Sequence, residues 1–161
     1  MPLAVKFKID VTAFMSEKLS NPSEAVTSAW TSIMRARERL LGVIEADLKA
    51  AGMPPLAWYD VLWELARSHD CKLRPYEIEE RTLLAQYNLS RLIDRLEKEG
   101  LVRREAFAED GRGRWVVITD AGRKLRECMW TVYARSIETH IGCKLAENEA
   151  KTIARLLDRF L

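Results

Sequence analysis

At 161 residues, 48% apolar and 31% charged, the chain is long enough for one compact domain with a buried core and polar enough to stay in solution. It has no run of about 18 apolar residues to span a membrane, and residues 1–10 lack the apolar stretch and small-residue cleavage site of a secretion signal. Three widely spaced cysteines, Cys71, Cys128 and Cys143, point to a reducing cytoplasm rather than a disulfide framework, and a net charge of +2 means that any nucleic-acid surface must come from local placement of arginines.

Residues 1–20 show no clean period and read as an extended arm with one short helical turn. Asn21-Pro22-Ser23 marks a helix start, with Asn21 as cap and Pro22 in the first turn. From there Val26, Trp30, Ile33, Leu40, Ile44 and Leu48 recur at helical spacing, and the helix should end at Gly52. After Met53-Pro54-Pro55, a second helix carries Leu56, Tyr59, Leu62, Trp63 and Ala66 on one face, and residues 68–72 break it. Arg74-Pro75-Tyr76-Glu77 opens a short third helix through Arg81. A fourth runs over 84–98 and stops at Gly100, with Ala85, Leu89, Leu92, Ile93 and Leu96 inward.

The period then changes. Residues 101–107 and 115–118 read as strands, joined by a hairpin through Asp110-Gly111 and Gly113. Thr119 caps a long fifth helix, with Asp120 in its first turn and Gly142 at its end. A last helix carries Ala150, Ile153, Leu156, Leu157 and Phe160. The expected fold is therefore mainly α with a small β-wing.

Two helices followed by a two-stranded hairpin make a winged helix-turn-helix, whose second helix enters the major groove of DNA. Off the core face of helix 84–98 stand Gln86, Tyr87, Asn88, Ser90, Arg91 and Arg95. Arginine reads guanine, Gln and Asn read adenine, and Ser, Tyr and Arg hold phosphates. An ordinary solvated helix face is the plainer alternative. Arg112 and Arg114 flank Gly113 at the hairpin, where a narrow projection suits the minor groove. Asp110 is placed to orient Arg112 through a bidentate pair.

Leu89-Ser90-Arg91-Leu92-Ile93-Asp94-Arg95-Leu96-Glu97-Lys98-Glu99-Gly100-Leu101-Val102 resembles the recognition helix and following strand of the MarR family. Glu109-Asp110-Gly111-Arg112 is similar to its wing signature, and Ile118-Thr119-Asp120-Ala121-Gly122 to its strand-to-helix junction. Trp58-Tyr59-Asp60-Val61-Leu62 resembles the start of its second helix. The similarity spans residues 24–160. It implies a single MarR-like domain with a DNA-binding lobe at 54–118 and dimerisation helices at 22–51 and 119–161. It further implies a homodimer on a pseudo-palindromic operator of double-stranded DNA, with repression relieved by a small ligand or by oxidation. The chain departs from the family in its charge-rich residues 74–85 and in Tyr87 and Asn88, where small hydroxyl residues are frequent, so operator sequence does not carry over. Ala146 stands where a Ser or Thr cap belongs, and the last helix is expected to fray at its start.

Trp30, Met34, Arg37, Trp58, Leu62 and Met129 are candidates for an effector pocket. Apolar walls with one cation suit an aromatic acid; the plainer reading is core packing. Cys71, beside Lys72 and Arg74, is the candidate for a redox-sensing alternative. His69-Asp70-Cys71 and His140-Ile141-Gly142-Cys143 do not bring four zinc ligands together, so neither metal nor another cofactor is expected. No nucleophile elbow, phosphate loop or paired carboxylates with a partner His points to an enzyme. A winged helix that binds protein rather than DNA is the remaining alternative.

Overall fold

The computed structural model describes residues 21–82, 86–106 and 113–161, without the side chains of Gln86 and Tyr87. The expected arm at 1–20 and the hairpin tip at 107–112 lie outside the described residues. The chain divides into two units, residues 1–37 and 38–161. In the first, α1 (Glu24–Ala50) begins. Its cap is Ser23, whose Oγ accepts the Val26 N–H at 3.3 Å, and not Asn21 as the sequence suggested. Pro22 therefore lies before the helix rather than in its first turn. Val26 and Trp30 are exposed on this stretch.

In the second unit α1 closes with Gly52 at φ +70°. The Met53 N–H returns to the Leu48 carbonyl at 2.9 Å, the left-handed stop that glycine permits. The next elements are α2 (Leu56–Arg67), β1 (Lys72–Leu73), α3 (Pro75–Arg81) and α4 (Gln86–Lys98). They are followed by β2 (Val102–Ala106), β3 (Arg114–Ile118), α5 (Asp120–His140), a 3-10 turn (Gly142–Lys144) and α6 (Glu147–Leu157).

The sheet is antiparallel in the order β1-β3-β2. Strand β1 was not expected. Cys71 takes a left-handed φ of 55°, which turns the chain so that Lys72 pairs with Val117 and Leu73 with Val116. Within the described residues the hairpin strands run 102–106 and 114–118, against 101–107 and 115–118 in the sequence reading. Helix α5 stops at His140, two residues early, because the chain tightens into the 3-10 turn at Gly142. The start of α6 is held despite Ala146, since the Glu149 carboxylate accepts the Ala146 N–H at 2.8 Å.

Two buried clusters organise this unit. One joins α2, α3, α4 and the sheet through Val61, Leu62, Leu65, Ile78, Leu89, Ile93, Leu96, Val102, Val116 and Ile118. The other joins α1, α2 and α5 through Ile44, Leu48, Leu56, Tyr59 and Met129. Trp58 packs against both.

Polar contacts fix the joints between helices. Glu45 accepts the otherwise uncapped Leu56 N–H at 3.0 Å. Asp47 accepts from Ser136 at 2.6 Å and meets His140 Nε2 at 3.0 Å, which ties α1 to α5. These hydrogen bonds, the Ser136 one foremost, hold Asp47 below its ordinary pKa. Thr119 caps α5 by accepting the Gly122 N–H at 3.1 Å, while its hydroxyl donates to the carbonyls of Gly100 and Leu101 at 2.8 and 3.0 Å. Gly122 is obligatory there, because a Cβ would stand 2.2 Å from the Leu101 carbonyl oxygen.

Candidate nucleic-acid interface

Helix α4 is positioned by its apolar side. Leu89, Ile93 and Leu96 are buried, at i, i+4 and i+7. That fixes the rotation of the helix and leaves Asn88, Ser90, Arg91 and Arg95 exposed together on the opposite side. The Gln86 and Tyr87 side chains belong to its first turn but lie outside the described residues.

A second restraint was not anticipated. Arg104 on β2 reaches across to α4, pairing with Asp94 at 2.5 Å and with Glu97, whose carboxylate also accepts the Arg104 N–H at 3.1 Å. Burial pulls the Arg104 pKa down, but the hydrogen bonds and charges of Asp94 and Glu97 outweigh it and raise it. Arg104 therefore serves as a tether for the helix, which leaves Arg91 and Arg95 as the arginines on its open side. The i, i+3 spacing of Asp94 and Glu97 is the signal that sequence reading passed over.

At the wing, Arg114 is exposed at the first position of β3, across from Ala106. Asp110 and Arg112 lie outside the described residues.

Residues 51–113, which hold the helix pair and the first strand of the wing, match the model of the MarR family. Over this stretch the chain resembles the MarR family. The match supports DNA-binding regulation of transcription over an enzymatic role. Among solved structures it is similar to the MarR-family regulator Sco3205 of Streptomyces coelicolor in complex with DNA, at 26% identity and a TM-score of 0.76, covering 87% of this chain and 91% of that one. Sco5413 of the same organism is 28% identical with a TM-score of 0.72, over 86% and 94% of the two chains. BpsR of Bordetella bronchiseptica shares the fold at 21% identity, with a TM-score of 0.73 and coverage of 83% and 98%. No curated protein matches the chain in sequence.

The effector candidates fall in different surroundings. Trp30, Met34 and Arg37 belong to the first unit and are exposed. In the second, Leu62 and Met129 are fully buried as core residues and Trp58 is half-buried. The same unit gathers an aromatic group that the sequence reading missed. Tyr59 stacks with Trp63 and Trp130 at 6.1 and 6.0 Å between centroids, and meets Tyr133 edge-on at 5.2 Å. Arg126 lies over the Trp63 ring at 5.5 Å, and its buried Nε has no hydrogen-bond partner among the described residues. Burial raises the pKa of both Tyr59 and Tyr133. The spacing Tyr59/Trp63 and Arg126/Trp130, each i, i+4, was the available signal.

Asp60 is half-buried beside these rings. Burial first, then the charges of Glu45 and Glu64, push its pKa up to about 6. Cys71 is half-buried, with its thiol 3.9 Å from the Ala66 carbonyl. His69 pairs with Asp70 at 2.8 Å, and no group of metal-ligating residues forms among the described residues. Among these residues no helix is long and apolar enough to cross a membrane.

Proposed function

We propose that the chain acts as a cytoplasmic homodimer that binds a pseudo-palindromic operator and represses nearby genes until a small aromatic acid releases it. The observation that carries the DNA reading is the exposed edge of α4, where Asn88, Ser90, Arg91 and Arg95 stand on a helix locked by Leu89, Ile93 and Leu96. Gln86 and Tyr87, in the first turn of the helix, are proposed to join in base reading, since base contacts concentrate at that end. Arg114 and Arg112 add minor-groove affinity from the wing, with Asp110 orienting Arg112. Residues 54–118 form the DNA-binding part, and residues 22–51 and 119–161 supply the dimer. The DNA complex of Sco3205 favours the DNA reading. DNA binding by BpsR is regulated by 6-hydroxynicotinic acid, which favours an aromatic acid as effector class.

Within the second unit the candidate counter-cation for the acid is Arg126, over the Trp63 ring. Gel-shift of the purified chain on DNA upstream of its own gene tests the central claim. A specific, salt-sensitive shift is expected, and none at any protein concentration overturns it in favour of a protein-binding winged helix. Release by a panel of aromatic acids, read by tryptophan fluorescence, tests the effector. Release on oxidation of Cys71 instead would transfer the sensing role to that thiol.

A further inference from the structure

The outer face of the small sheet carries a group that base reading by α4 does not use. Val116 and Ile118 point into the core, and Trp115 lies on the opposite face of β3. Lys72 pairs with Val117 and Leu73 with Val116, so the next residue, Arg74, comes level with Trp115. Both cations settle on that one indole. Lys72 Nζ is 5.3 Å and Arg74 Cζ 5.1 Å from the ring centroid.

Position gives the pair its meaning. Strand β3 leaves the hairpin tip at Arg114, and β1 runs antiparallel to it, so the path from Lys72 to Arg74 leads toward the tip end of the sheet. Arg74, level with Trp115, and the exposed Arg114 thus lie toward the end of the sheet that a DNA-bound wing presents to the duplex, while Lys72 reaches the same ring from farther along β1. A flat indole beneath two long cationic side chains holds them extended and restricts the rotamers they would otherwise sample.

We propose that Lys72 and Arg74, laid on Trp115, grip a DNA backbone phosphate outside the stretch read by α4. The inference rests on the DNA-binding reading above. Such a contact positions the protein and adds affinity without selecting sequence.

The test uses the full chain, with Lys72→Ala/Arg74→Ala, Trp115→Leu and Trp115→Phe variants. Each is titrated onto the upstream DNA and onto a random duplex of equal length, over a range of salt. The double variant is expected to lose the same factor on both duplexes, and its slope of log affinity against log salt becomes shallower by about 1–2. Trp115→Leu follows it in part, and Trp115→Phe keeps most of the parental affinity. Thermal melting of every variant checks the fold. Parental affinity and slope in the folded double variant overturn the proposal, as does a loss confined to the upstream DNA. A parent that binds neither duplex brings down the DNA reading itself, which is a different result from a binding parent with an unaffected variant.

Discussion

Asn88 is the exposed residue of α4 best suited to read a base, since its amide offers a donor and an acceptor in one plane. Asn88→Ala is expected to reduce discrimination between operator and random DNA by about 1–3 kcal/mol. Equal weakening on both sequences would instead make it a phosphate contact. Asp60 sets a pH dependence. Its folded pKa of about 6 lies above the ordinary 3.8, so the native state holds this proton more tightly than the unfolded chain does. Its contribution is therefore favourable at low pH and is lost as pH rises from 3.8 through about 6. Asp60→Asn should be more stable than the parent above that range, with the gap closing below it. Urea melts of both proteins across the window decide the matter, and a gap independent of pH would rule it out. The residues that sequence reading placed well were those on a strong helical period, such as Leu89, Ile93 and Leu96. Arg104 was not legible, because its role depends on a strand crossing to Asp94 and Glu97.

The helices were readable because caps and stops have local chemistry, as at Gly100 and Thr119. Strand β1 was not, since two residues carry no period and nothing around Cys71 announces its left-handed backbone. The aromatic group of Tyr59, Trp63, Trp130 and Tyr133 was overlooked for a related reason: each helix shows its half of the spacing, but only packing of α2 on α5 joins them. The wing remains a sequence-based expectation at its tip. Arg112→Ala should weaken operator binding and make the salt dependence shallower by about 1, with the fold intact. Asp110→Ala should do the same in part. Affinities at two salt concentrations check both, and parental behaviour of Arg112→Ala would take the wing tip off the DNA.

At the scale of the molecule, α6 and the chain end expose Ile153, Leu156, Leu157 and Phe160. A helix with that much open apolar surface is expected to bury it against a second copy. Sedimentation should therefore give a dimer at micromolar protein, and Leu156→Asp should shift it toward monomer. A parent that stays monomeric would refute the dimer. The joint at Thr119 and Gly122 then has a mechanical consequence. It grips the carbonyls of Gly100 and Leu101, where α4 hands over to β2, and Gly122 leaves no slack for sliding. Helix α5 is thus clamped at one end to α4 and β2, the helix and strand proposed to face DNA. It has 21 residues and is about 30 Å long, so a tilt of about 5° moves its far end by about 3 Å. A rigid clamp makes it a lever arm: a small push far along α5 swings the reading head as one body.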